Sequence, residues 1–183
     1  MKLPGRFLMI AIAASAMACS SAQRIRNSVA TATAIMYNTS GAAIGTAQLS
    51  QDQNGSVFVD IASISLPAGT HGIHFHAVGR CDTGTTSAFS SAGGHYNPMA
   101  KQHGLQNPNG PHAGDNPNIT IPASGAGEVA FTTDRVSLTP GTASLFDADG
   151  SSLVIHAGAD DQMTDPAGNS GGRIACGVVR AIP

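Results

Sequence analysis

Residues 71–76, HGIHFH, carry the first chemistry visible in this chain. They close a run that reads as a β-strand, where side chains two apart project from the same face. His74 and His76 therefore form a pair on one face, with Phe75 on the other. Two imidazoles side by side on a rigid strand supply half of a site for copper or zinc. His71 has the opposite parity in a regular strand and stands outside that pair. All seven histidines lie between His71 and His156. His95 from a long loop and His156 from the run SLVIHA complete a group of four nitrogens with His74 and His76. Four imidazoles flattened around a metal suit Cu(II). Near His95 stand His103, His112 and Asp115, with His112 and Asp115 on one tight turn. Three imidazoles and a carboxylate in a tetrahedron suit zinc. His95 is counted in both groups, which a deprotonated imidazole allows because it has two ring nitrogens.

The elements that must hold these residues are strands. With 22 Gly, 10 Pro and only 11% charged residues, the 183-residue composition is that of one turn-rich, all-β domain. Strands are expected over residues 28–37, 41–50 and 55–66. In the third, Val57, Val59, Ile61 and Ser63 alternate with Phe58, Asp60, Ala62 and Ile64, and the preceding Asp52-Gln53-Asn54-Gly55 has hairpin chemistry. From Gly79 to Pro117 the pattern stops. A loop of this length is functional or disordered, and Cys81, His95, His103, His112 and Asp115 would order it. Strands resume over residues 118–122, 127–132, 135–138, 152–157 and 173–180, with a second loop over 158–172. The architecture expected is an eight-stranded Greek-key β-barrel or sandwich with two long functional loops and no helix. No strand face is conspicuously apolar and exposed, so a monomer and a homodimer are both compatible.

The chain opens with a leader. Lys2 and Arg6 precede the 12-residue apolar run FLMIAIAASAMA, too short to span a bilayer and followed by small residues, which reads as a secretory signal over residues 1–18. Without Lys2 and Arg6 the chain keeps seven basic and eleven acidic residues, a formal charge of −4. The basic residues form no run, which excludes nucleic acid as a partner. Export implies an oxidising compartment, where Cys81 and Cys176 are expected to pair. That bridge would contribute roughly 4–5 kcal/mol in the chain-entropy model. The odd cysteine, Cys19, follows Ala16-Met17-Ala18 in the manner of a bacterial lipoprotein signal and is expected to be lipidated; ordinary cleavage, for instance after Ala22, is the competing reading. Residues 19–27 would then be a polar tether and 28–183 the domain, held at the periplasmic membrane or cell envelope.

The segments HGIHFHAVGRC, GGHYNP, KQHG, GPHAGD, LVIHAGADD and GNSGGRIACGVV, in this order, resemble the successive signatures of the copper/zinc superoxide dismutase family. The resemblance covers essentially the whole chain after the leader. It implies copper on His74, His76, His95 and His156, and zinc on His95, His103, His112 and Asp115. It also implies the Cys81–Cys176 disulfide, and a His71 that bonds backbone rather than metal. Asp160 matches an outer carboxylate linking a copper histidine to a zinc histidine. Arg173 matches the arginine that attracts the anionic substrate, superoxide, beside copper. The implied reaction is a two-step cycle in which one superoxide leaves as dioxygen and a second as hydrogen peroxide, with His95 releasing copper and carrying a proton. One departure stands out. The 157–172 loop has Asp160, Asp161 and Asp165 but no lysine, where many members place lysines that steer superoxide. Steering would fall to Arg173, helped by Lys101 or Arg80. The alternative is an exported copper/zinc-binding protein without catalysis; a structural adhesion domain would leave the clustered ligand-type residues unexplained.

Overall fold

A computed structural model describes residues 23–84 and 87–183. The leader and Cys19 lie outside the described residues. Ten strands are present among them: β1 Ala30–Asn38, β2 Ala43–Gln51, β3 Val57–Ser65, β4 Gly69–His71, β5 Ile73–His76, β6 Ile119–Ile121, β7 Ala126–Thr133, β8 Ser152–His156, β9 Arg173–Val178 and β10 Arg180–Ile182. Seven form an antiparallel path, β5-β8-β9-β1-β2-β3-β7, and β10 also pairs with β1. The ends of that path, β5 and β7, do not pair with each other. Between them lies the two-stranded β4–β6 sheet, whose members run through short connections into β5 and β7. The fold is thus a sandwich rather than a closed barrel.

The inward face follows the alternation of apolar residues. Ala32, Ala34 and Met36 of β1, Leu49 of β2, and Leu153 and Ile155 of β8 are fully buried, as is Phe75 of β5. In β3 the expected alternation holds only to Ile61. The β3–β7 register then slips by one residue between Ile61 and Ile64. A slip of one reverses which face a side chain occupies, so Ile64 joins Val57, Val59 and Ile61 in the core. The expected strand over 135–138 is absent; the chain there makes only the Ser137–Ser144 bridge. The expected last strand is longer and nominally broken at Val179. Tyr37 faces Cys176 and Thr33 faces Arg180 in one unbroken register, so β10 continues β9 along the same edge of β1. Contrary to the sequence reading, apolar side chains are exposed beside this seam: Val29, Ile35, Tyr37 and Ile182.

Helix is present where none was expected. Residues 23–27, assigned to the tether, are helical and docked. The Arg24 guanidinium donates to both Asp60 carboxylate oxygens at 2.9 and 3.0 Å and lies 5.5 Å over the Phe58 ring. A 3-10 turn, Ser90–Ala92, lies in the first loop. Among the described residues no helix is long and apolar enough to cross a membrane.

The first long loop is ordered by three ties. Cys81 and Cys176 are bridged, with Cα atoms 5.6 Å apart. Tyr96 is buried and its hydroxyl donates to Ser144 O at 2.7 Å. Above all, the loop occupies the open edge of β5. Phe75 N–H donates to Gly114 O at 2.9 Å, and Tyr96 N–H donates to Phe75 O at 2.8 Å. An unpaired strand edge offers such donors and acceptors, and the loop uses them to set its own functional residues beside the strand.

Candidate metal centre

Pairing along β5 sets the first contacts. His76 bridges His95, and His74 bridges Asp115, across the edge that the loop covers. On the other edge of β5, His74 lies opposite Val154 and His76 opposite Ser152 of β8, whose last residue is His156. His74, His76, His95 and His156 each present a nitrogen within 4.8 Å of the others, and all four are buried or nearly so. A second group, His95, His103, His112 and Asp115, meets the same limit. The His95 ring lies between the groups, its centroid 4.0 Å from His74, 5.0 Å from His76, 5.0 Å from His103 and 5.5 Å from His112. The structure thus brings together every histidine singled out in the sequence for metal, with Asp115.

Hydrogen bonds determine which nitrogen each ring offers, because a neutral imidazole has one N–H and one lone pair. His76 Nδ1 lies 3.0 Å from Gly93 O and His156 Nδ1 lies 3.1 Å from Gly171 O, so these nitrogens donate and the Nε2 atoms carry the lone pairs. His74 is turned the other way. Its Nε2 meets Asp160 Oδ2 at 2.7 Å, which frees Nδ1. His74 Nδ1, His76 Nε2, His95 Nε2 and His156 Nε2 are buried without a hydrogen-bond partner. Buried polar atoms are normally satisfied. Four orphans of one kind, on rings that each bring a nitrogen within 4.8 Å of the others, suit a soft-to-borderline metal with nitrogen ligands.

The second group faces Asp115. Its Oδ1 lies 2.9 Å from His95 Nδ1, 3.0 Å from His103 Nδ1 and 3.4 Å from His112 Nδ1. Asp115 Oδ2 accepts the Gly104 and His112 backbone N–H groups at 2.8 and 2.9 Å. Three Nδ1 atoms and one carboxylate oxygen form a donor set that fits zinc. Asp160 spans both groups: its other oxygen, Oδ1, lies 3.0 Å from His103 Nε2. His71 joins neither group. Its nitrogens meet the carbonyl oxygens of His156 and Pro67 at 2.8 and 3.0 Å.

Electrostatics divide the site in the same way. Burial, aided by the charges of His95 and Arg173, holds His76 well below its ordinary pKa. Burial lowers His95 to about 4 and His156 to about 3. These rings stay neutral, the form that binds metal. Burial also opposes charge on His103, but hydrogen bonds and charges from Asp115 and Asp160 outweigh it and push that ring up to about 9. Burial likewise opposes ionisation of Asp115 and Asp160, yet their histidine hydrogen bonds hold both well below the usual carboxylate range.

Arg173 pairs with His156 across β8 and β9. Its guanidinium donates to Phe89 O at 2.6 Å and to Gly93 O at 2.5 Å. Gly93 O also meets His76 Nδ1, so one carbonyl links the arginine to a ligand-type histidine. A cavity of about 320 Å³ opens here, lined by His76, His95, His156, Arg173, Pro166 and Ala167 among others. Arg173 is the one lysine or arginine lining it among the described residues. Lys101 and Arg80 do not line it, and Arg80 is paired with Asp82 at 2.6 Å. The second loop is tied down by contacts that the sequence does not signal, one of them from Asn118, a residue not singled out there. Asn118 exchanges two 2.8 Å bonds with the Asp160 backbone, and His103 N–H donates to Asp165 Oδ1. These contacts join segments about 40 to 60 residues apart, and no local motif signals them.

Comparison with known proteins places this geometry in context. The profile of the family described as copper/zinc superoxide dismutase (SODC) matches residues 43–179. Superoxide dismutase [Cu-Zn] 1 of Aquifex aeolicus is 46% identical over 147 residues, covering 79% of this chain and 85% of that protein. Superoxide dismutase [Cu-Zn] of Deinococcus radiodurans is 42% identical over 164 residues, 83% of this chain and 85% of the relative. The crystal structure of a SOD-like protein from Bacillus subtilis superposes with a TM-score of 0.69 at 35% identity, covering 80% of this chain and 96% of that one.

Proposed function

The chain belongs to the copper/zinc superoxide dismutase family, and from that premise we propose that it dismutes superoxide at copper held by His74, His76, His95 and His156. Zinc is assigned to His95, His103, His112 and Asp115. The observation that carries the reading is the set of four orphaned, buried ring nitrogens facing one another beside Arg173. Bound copper supplies one-electron chemistry that turns two superoxide ions and two protons into dioxygen and hydrogen peroxide, while zinc, which has no redox chemistry, supplies charge and order.

The chain's own residues do the rest. Arg173 presents a permanent cation at the cavity, which draws in the anionic substrate. Its two carbonyl bonds hold the guanidinium there. His95 would be the ligand shared by the two metals, and its Nε2 is the atom that would hold a proton for the peroxide product. Asp160 fixes the orientation of His74 and His103 together.

Arg173→Ala is expected to lower turnover by at least about 10-fold with copper and zinc retained. Arg173→Lys is expected to recover little, because an ammonium cannot match the fork that meets both carbonyls. Steady-state rates with metal analysis on each variant check this; wild-type rates in Arg173→Ala would remove it from the mechanism. Since Arg173 is the one lysine or arginine lining the cavity, the salt dependence of the wild-type rate should be shallow.

We place the enzyme outside the cytoplasm. The Cys81–Cys176 bridge is consistent with an oxidising compartment, and the leader supports export with lipidation at Cys19 and residence at the periplasmic membrane. Cys19→Ser is expected to move the protein from the membrane fraction to the soluble one. Continued membrane association of that variant would exclude the anchor.

A further inference from the structure

The zinc half requires His103 and His112 to turn Nδ1 toward Asp115, and Asp160 accounts for only one of them. It reaches Nε2 of His103, whereas the carboxylates paired with the His112 ring are Asp115 and Asp165. The second loop supplies another carboxylate. Asp165 Oδ1 accepts the His103 backbone N–H at 2.5 Å and stands 3.7 Å from Nε2 of His112. For His112 Nδ1 to offer a lone pair, its proton must sit on Nε2. The carboxylate facing that nitrogen is Asp165, and a negative charge there favours an N–H pointing toward it. The His112 ring is nearly buried, with 8% of its side chain exposed, and its Nδ1 lies 3.4 Å from Asp115 Oδ1 without a hydrogen bond.

We infer that Asp165 is a positioning residue for the zinc half: one carboxylate that fixes the main chain of His103 and the ring of His112. Asp160 and Asp165 then divide the work. Asp160 couples the copper and zinc groups through His74 and His103, and Asp165 couples the two zinc-side loop histidines to each other. The acidic loop, which lacks steering lysines, thereby serves metal retention instead. The inference rests on the assignment of His95, His103, His112 and Asp115 to zinc.

The test compares purified wild-type protein with Asp165→Ala and Asp165→Asn. It measures zinc affinity by chelator competition, the visible spectrum of Co²⁺ bound in place of zinc, and thermal stability without metal. Asp165→Ala is expected to bind zinc about 10–100-fold more weakly, the usual cost of losing an outer partner of a ligand. Its Co²⁺ bands should shift while copper affinity holds. Asp165→Asn keeps an acceptor for the His103 N–H but offers no charge to His112. It should restore the metal-free stability and leave zinc affinity impaired. Wild-type zinc affinity and Co²⁺ bands in Asp165→Ala would overturn the inference. Recovery of both properties in Asp165→Asn would also overturn it, reducing Asp165 to a strut between loops. A wild-type protein that binds copper but no zinc would instead overturn the zinc assignment itself.

Discussion

Replacing His156 with alanine should abolish superoxide turnover while leaving zinc in place. His156 ends β8, its Nδ1 is committed to Gly171 O, and its buried Nε2 has no partner within the protein. The change removes one of four nitrogens from the proposed copper group and none from the zinc group. Losing an outer partner of a ligand costs about 10–100-fold in metal affinity, so losing a ligand should exceed about 100-fold for copper. The tie to His71 runs through the His156 carbonyl and survives the substitution, so the β4–β5 connection should keep its shape. Metal content and turnover measured on the same sample check this. Unchanged activity would exclude His156 as a ligand.

Gly168→Ala should weaken both metals at once, although residue 168 belongs to neither group. Gly168 has φ +60°, where an L side chain costs about 1–2 kcal/mol. The larger effect is steric. A Cβ there would lie 1.8 Å from Asp160 Oδ1 and 2.6 Å from His103 Nε2. Asp160 must move, and its bonds at 2.7 Å to His74 and 3.0 Å to His103 go with it. Copper and zinc affinities should each fall about 10–100-fold, with the strand content by circular dichroism unchanged. Asp160→Asn provides the comparison: it fits the space but keeps one acceptor oxygen, so only one of the two rings retains an acceptor. Wild-type affinity for both metals in Gly168→Ala would show that Asp160 does not orient the ligands.

The parts of the site that sequence made legible are those set by period. Alternation in a strand puts His74 and His76 on one face, and β5 keeps that alternation. The spacing of His112 and Asp115 likewise implies one turn, and the Asp115 carboxylate does accept the His112 N–H. Legibility failed where the backbone departs from regular geometry or where distant segments meet. The one-residue slip in β3 carried Ile64 to the face opposite the one its parity assigned. The helical residues 23–27 are tied by Arg24 to Asp60, 36 residues away, and polar composition alone suggested a free tether. Arg173 was singled out from its motif, but its orientation depends on the carbonyls of Phe89 and Gly93, which carry no sequence signature. Asp165 was visible only as one acid in a loop without lysines. Its partners, His103 and His112, stand 62 and 53 residues before it.

The function proposed for this chain is turnover of superoxide at a histidine-bound copper beside a zinc. The most direct test measures superoxide turnover on the purified protein, with copper and zinc quantified in the same sample. About one copper and one zinc per chain, with turnover that rises with copper content, is the predicted result. Full occupancy of both metals without turnover would contradict it and identify the protein as a copper/zinc-binding member that has the site without the catalysis.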